Sequence, residues 1–152
     1  MRKTLQQRKE SGFTIVEVLI VLAIAGLIIL VVLLAVPALQ RNGRNTAIKN
    51  DASAVAGGVS EFQSNNDGVM PTTIAQSGAT VTLSGPAGTA ATTAKVQGGT
   101  VVATGAGSTP ALGNITVGFG RRCDGTTSTR ATAVWYSTEN SSSTPQYKCV
   151  DS

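Results

Sequence analysis

The sequence contains no histidine in its 152 residues. That removes Ser-His-Asp and Cys-His nucleophilic arrangements and the H-E-x-x-H zinc motif together. Cysteine is nearly absent as well. Only Cys123 and Cys149 occur, without C-x-x-C spacing, so no zinc-ligand pattern can be read from the sequence. Charged side chains make up 13% of the chain and aromatic ones 4%. The acidic residues are scattered. No pair suggests acid–base work, and no Asp cluster suggests calcium. The chain reads as a non-enzyme, with neither cofactor nor metal expected.

Basic charge is concentrated rather than spread. The formal net charge is +4, and residues 1–12 supply +3 of it through Arg2, Lys3, Arg8 and Lys9 against Glu10. Lys and Arg beside a membrane segment hold that end on the cytoplasmic side. The charge is therefore a topology signal, and the C-terminal part is expected to face outward. In an oxidising compartment outside the cytoplasm the two cysteines read naturally as a disulfide, with two reduced, buried thiols as the alternative. Closing that loop contributes about 3.5 kcal/mol in the chain-entropy model.

What the sequence has in abundance is one apolar run. Val18–Val36 is nineteen residues without a charge or polar side chain. A bilayer core needs about 20 such residues. Residues 13–36 as a helix span about 36 Å at about 1.5 Å per residue. Val and Ile are frequent there, but in lipid the backbone must satisfy itself, so helix prevails. Gly26 lies within the run and Pro37 closes it, and both mark places for a kink or local loosening. Glu17 stands just inside the run. A carboxylate at a membrane helix centre costs about 2.5–3.5 kcal/mol, and less near the surface. It either snorkels to the headgroups or meets a cation.

Residues 38–66 change character. Ile48, Ala52, Val55, Val59 and Phe62 recur at spacings of four, three, four and three, which is one apolar helical stripe. Gly57-Gly58 either weakens this helix or marks close packing. Asn65-Asn66-Asp67-Gly68 ends it. Residues 67–152 are rich in Thr, Ser, Gly, Ala and Val. Strands are expected at 79–83, 100–104, 114–119, 130–136 and 146–150, forming an antiparallel sheet on the stripe. Ala131, Ala133 and Trp135 are expected to share one face, and residues 84–113 carry few signals. The domain plan is 1–12 as a leader, 13–37 as the membrane or filament-core helix, 38–66 as its amphipathic half, and 67–152 as a β-rich head. The fold class is α+β, a long N-terminal helix on a small antiparallel sheet.

The stretch Gly12-Phe13-Thr14-Ile15-Val16-Glu17, behind a basic leader and before some twenty apolar residues, resembles the class III signal and N-terminal helix of type IV pilins and pseudopilins. The resemblance implies cleavage between Gly12 and Phe13 by a prepilin peptidase in the cytoplasmic membrane, and N-methylation of Phe13. It also implies a role for Glu17 in pairing with the N-terminal amine of a neighbouring subunit. Such a pair supplies register more than stability, because burying both charges is costly. The implied partners are further copies of the chain in a helical filament, the assembly platform and its ATPase, and other minor pilins. Gly26 matches a glycine usual in this helix. The family's common proline would fall at Leu34, whereas here it is Pro37.

The function implied is a structural pilus subunit, anchored in the membrane as a precursor and extracellular when assembled, serving adhesion, motility or DNA uptake. The alternatives are a type II secretion pseudopilin and a DNA-binding competence pilin. For DNA, Arg121, Arg122, Arg130 and Lys148 are the candidate phosphate contacts. A solvated basic edge is the simpler reading of those four. Trp135 and Tyr136 read as core and strand residues rather than as a stacking platform for bases.

Overall fold

The computed structural model describes residues 12–97, 99–105, 107, 109–142 and 144–152. The leader cations Arg2, Lys3, Arg8 and Lys9 lie outside the described residues. Helix α1 (Ile15–Asn65) is followed by seven strands: β1 (Thr73–Ser77), β2 (Thr80–Ser84), β3 (Thr92–Lys95), β4 (Val101–Thr104), β5 (Asn114–Arg121), β6 (Thr127–Glu139) and β7 (Pro145–Asp151). The chain divides into two compact units, residues 1–39 and 40–152.

In the first unit the helix buries nothing. Its large apolar side chains from Ile15 to Val36 are exposed, and it is long and apolar enough to cross a membrane. The helix runs on through Gly26 and has Pro37 inside it.

In the second unit the helix buries one stripe. Ile48, Ala52, Val55, Val59 and Phe62 are all buried, as their spacing anticipates. The chain leaves the helix through left-handed backbone at Asp67 (φ 53°) and Gly68 (φ 79°), and Gly68 N–H donates to the Gln63 carbonyl at 2.8 Å. That is the type of helix stop in which glycine avoids a Cβ penalty. Asn66 fixes the exit. Its amide donates to the Phe62 and Ala90 carbonyls and accepts from Ala90 N–H, tying the loop after β2 to the helix end.

The sheet expected from sequence is two sheets. One is three-stranded and antiparallel, in the order β1-β2-β3. The other is four-stranded and mixed, in the order β4-β5-β6-β7, with β4 parallel to β5. Sequence reading anticipated neither β1 nor β3. Each carries one core-facing apolar side chain at most, Ile74 in β1 and Ala94 in β3. The small size of Ala94 has a cause. A Cβ placed on Gly58 of the helix would lie 3.1 Å from the Ala94 Cβ and 2.9 Å from Leu83 Cδ1, so helix and sheet meet there at glycine contact distance. Of the two readings of Gly57-Gly58, close packing applies to Gly58, and Gly57 faces open space.

The two sheets are joined by a side chain. Gln76 of β1 donates to the Thr100 carbonyl at 2.6 Å and accepts from Val102 N–H at 2.8 Å, so its amide pairs with the β4 edge as a residue of a strand would. Buried Asp51 on the helix holds the turn before β4 by accepting from Gln97 N–H and from the Thr100 hydroxyl. A buried carboxylate needs such donors to offset its lost hydration.

In β6 the residues facing the helix are Val134 and Tyr136, which join Ile115 and Val117 of β5 in the core. Ala131, Ala133 and Trp135 do share a face, and it is the opposite one. There the Trp135 ring lies over Gly118. A Cβ on Gly118 would come within 2.5 Å of Trp135 Cζ3 and 3.1 Å of the Gly105 carbonyl. Gly118→Ala is therefore expected to cost about 1–3 kcal/mol as an overpacking change. Gly57→Ala, at an exposed helical position with open space, is expected to stabilise by up to about 1 kcal/mol. Urea denaturation of both variants checks the pair; equal effects would place Gly118 outside the packed layer.

Candidate assembly segment and head sites

The residues around the expected cleavage point are open. Gly12 is exposed with nothing within 4 Å of a Cβ placed on it, and Phe13 is 89% exposed. Thr14 begins the helix, and Glu17 answers it three residues later. Thr14 N–H and its hydroxyl both donate to Glu17 Oε2, at 2.9 and 2.8 Å, and Glu17 N–H donates back to Thr14 Oγ1 at 3.2 Å. This is a capping box, which satisfies the free donors of a helix start reciprocally. The T-x-x-E spacing was in the sequence and signals such a cap. Reading Glu17 only as an isolated charge missed it. Within a single chain the carboxylate is already a hydrogen-bonded group on the first turn.

At the start of the second unit a different carboxylate is clamped. Arg44 on the helix grips Glu139 at the end of β6 through Nε–Oε1 at 3.2 Å and Nη2–Oε2 at 2.7 Å. Beside it the Asn45 amide donates to the Glu139 carbonyl and accepts from Glu139 N–H, both at 2.8 Å. Two neighbouring helix residues thus saturate the side chain and backbone of one strand residue. The Arg44 hydrogen bond holds the Glu139 carboxyl below the usual range; burial opposes it, and the charges of Arg44 and Arg41 add smaller lowering effects. The fork is bidentate, the strong form of such a pair. A cleft of about 350 Å³ opens beside it, lined by Ile48, Gln97, Thr100, Leu112 and Ser137 among others.

Cys123 and Cys149 are joined by a disulfide with a Cα–Cα distance of 5.7 Å. It ties the turn after β5 to β7, whose Cys149 lies opposite Trp135. Asp151 sits at the same corner and accepts from Cys123 N–H at 2.7 Å. Asp124 closes the turn by accepting from the Thr126 hydroxyl and N–H, and these bonds hold its carboxyl below the ordinary range, with a smaller contribution from Arg122.

Three of the four candidate phosphate contacts, Arg121, Arg122 and Lys148, lie by the disulfide corner, and Arg130 does not. Arg121 lies opposite Thr127 at the start of β6, and Arg122 closes the turn by donating from N–H to the Thr126 carbonyl. Lys148 lies opposite Tyr136 and next to Cys149, so the Cys123–Cys149 disulfide brings it to the corner that carries Arg121 and Arg122. Arg130 is engaged elsewhere. Its guanidinium lies over Gly68, where a Cβ would come within 2.7 Å of Nη2. The last turn of α1 contains no basic residue of its own, so Arg130 supplies positive charge near the helix's negative end. Asp124 and Asp151 further break up the basic edge around Cys123.

The model of the prokaryotic N-terminal methylation motif matches residues 7–33. The chain carries a class III, type IV pilin-like prepilin signal. This prepilin signal supports a prepilin of the pilin or pseudopilin type and points to a structural protein. It implies processing by prepilin peptidase, inner-membrane anchoring beforehand and assembly into pilus-type complexes. No curated protein and no solved structure matches the chain.

The Glu139 clamp has a pH signature. Its folded pKa lies below the unfolded value near 4.5. The stabilisation is therefore present above that value and lost as pH falls through the folded pKa. Glu139→Gln is expected to melt at a lower temperature than the parent chain near neutral pH. The two curves should meet once the medium is more acidic than the folded pKa. Thermal melts across that range check it; a gap unchanged by acid would remove the charge from the clamp.

Proposed function

We propose that the chain is the structural subunit of a type IV pilus. The observation that carries this reading is the continuity of the methylation motif with an exposed apolar helix that passes directly into the packed stripe of the head. An apolar surface of that length is stable only in lipid or against other such helices. In this reading prepilin peptidase cuts between Gly12 and Phe13, Phe13 is N-methylated, and residues 13–37 pass from the membrane into the filament core. Residues 38–66 and 67–152 form the helix-backed head outside.

Glu17 then meets the Phe13 amine of a neighbouring copy. In a helical stack each copy offers the same two surfaces, a heterologous contact that repeats without closing. The capping box refines this step. The incoming amine displaces or joins the Thr14 donors, so assembly exchanges hydrogen bonds for a charge pair rather than rescuing a bare carboxylate. Gly26 and Pro37 are the positions where the helix loosens to fit the stack. Among pilin-type proteins, the Cys123–Cys149 disulfide and the lack of an acidic cluster favour a pilus subunit over a secretion pseudopilin. Asp124 and Asp151 at the corner that carries Arg121, Arg122 and Lys148, and the engagement of Arg130 at the helix end, favour a structural role over capture of DNA.

Mass spectrometry of the mature protein is expected to place its first residue at Phe13, carrying one methyl group. Any other start contradicts the prepilin reading. Glu17→Leu is expected to leave membrane insertion intact while surface filaments disappear under electron microscopy. Filaments of normal number would take Glu17 out of assembly.

A further inference from the structure

The end of the head that receives the helix differs from the rest of its surface in both apolarity and charge. Among the described residues after Leu39, four large apolar side chains are exposed: Val69, Val101, Leu112 and Tyr147. Three of them gather at this end. Leu112 lines the same cleft as Arg44, Asn45 and Glu139. Val101 begins β4 beside it, and its N–H donates to the Gly113 carbonyl. Tyr147 stands opposite Ser137 of β6, and the Ser137 hydroxyl donates to the Ala111 carbonyl next to Leu112. Val69 lies apart, just past the far end of α1, where its N–H donates to the Asn66 carbonyl.

Charge is sorted along the same direction. Arg41, Arg44 and Lys49 stand on the part of α1 that enters the head. The two carboxylates near them are already engaged, Glu139 by Arg44 and buried Asp51 by Gln97 and Thr100. The other acidic side chains of the head lie elsewhere. Glu61 and Asp67 are near the C-terminal end of α1, and Asp124 and Asp151 are at the disulfide corner. Lys and Arg flanking a membrane segment concentrate on its cytoplasmic side. With the leader cytoplasmic, Arg41, Arg44 and Lys49 follow the apolar run on the outward side, so that rule does not account for them.

We propose that before assembly the helix-entry end of the head docks on the membrane surface, with Val101, Leu112 and Tyr147 in the interfacial layer and Arg41, Arg44 and Lys49 against anionic lipid headgroups. Docking rests on the membrane anchorage of residues 13–37. Chain connection identifies the partner. Arg41 and Arg44 follow Leu39 by only about 3 and 8 Å of helix rise, so this end stays beside the bilayer whatever angle the two units take. A tyrosine suits the headgroup level, with an apolar ring and a polar tip. Lys and Arg lay their apolar stems along the surface while their charges meet phosphate. Each such cation near an anionic surface favours the docked form about fivefold. The anchor makes the contact intramolecular, so preferences of this size suffice. Entry into a filament then requires the head to leave the lipid.

The test uses the full chain reconstituted in vesicles of phosphatidylcholine and phosphatidylglycerol. An NBD fluorophore is placed on Ala111→Cys, beside Leu112, or on Ser64→Cys, at the far end of α1; both positions are exposed. The label at Ala111→Cys is expected to emit to the blue of the one at Ser64→Cys. Lipids spin-labelled at the headgroup should quench it at every protein-to-lipid ratio. Adding Arg41→Gln and Lys49→Gln together should lower the docked-to-free ratio roughly tenfold or more. Leu112→Ser should return the emission toward the red. Both changes should leave the circular dichroism spectrum unaltered. Release of the chain from the vesicles by alkaline carbonate would overturn the anchorage on which docking rests. A retained chain with equal emission and quenching at the two labels overturns docking alone. Full quenching in the Arg41→Gln, Lys49→Gln chain overturns the headgroup contact. A blue shift that appears only as the protein-to-lipid ratio rises overturns the lipid partner and assigns the face to a second copy.

Discussion

The second unit depends on the burial of one helical stripe. Ile48, Ala52, Val55, Val59 and Phe62 contribute the side of the core that neither sheet can supply for itself. The two sheets have separate hydrogen-bond ladders, and one of them has only three short strands. A small sheet is marginal in water without a partner for its apolar face. The stripe supplies that partner, chiefly Phe62 and Val59 against Leu83 at one end and Ile48, Ala52 and Val55 against Ile115, Val117, Val134 and Tyr136 at the other. The polar devices come second. The Gln76 amide, the Asp51 carboxylate and the Asn66 amide each pin a loop or a sheet edge whose position the packing has already fixed approximately.

The same helix meets two different solvents along its length. Up to Val36 it has no preferred face, because every side is apolar. From Ile48 on it has a single face. The change lies between them, at Gln40, Arg41, Asn42 and Arg44, where polar side chains return. That one helix serves both environments explains its mixture of residues. The first part tolerates Val and Ile because lipid enforces hydrogen bonding, and the second admits Gly58 because the sheet comes close enough to need it.

How far the sequence could be read follows from side-chain size and range. The stripe was legible because its spacing is local and its residues are large. The helix end was legible because Asn-Asn-Asp-Gly has few other uses. Strands β5 and β6 were legible from alternation, whereas β1 and β3 were not, since Ile74 and Ala94 make too faint a pattern. With β1 and β3 unseen, a second sheet could not be inferred. Nor could the parallel pairing of β4 with β5. At the sites, the motif from Gly12 to Glu17 is readable because the residues are contiguous. The grip of Arg44 and Asn45 on Glu139, and the arrival of Asp151 beside the cysteines, are products of the fold. Thr14 with Glu17 lies between these cases. Its T-x-x-E spacing is that of a cap, but the apolar run around it carries none of the polar flanks that usually mark a helix start.

The Glu139 clamp has a mechanical consequence. Arg44 and Asn45 are the first helix residues, in chain order, whose side chains bond to the β-structure among the described residues. A load carried along the helix from its N-terminal side meets this clamp before any other side-chain hydrogen bond to the β-structure among the described residues. A bidentate ion pair flanked by a two-way amide bond shares that load over four hydrogen bonds acting together, so none need break alone. Acid weakens the ion-pair half of this fastening by protonating Glu139 and leaves the Asn45 half in place. Force resistance and acid resistance of the head thus meet at a single residue, at the far end of β6 from the disulfide-bonded turn.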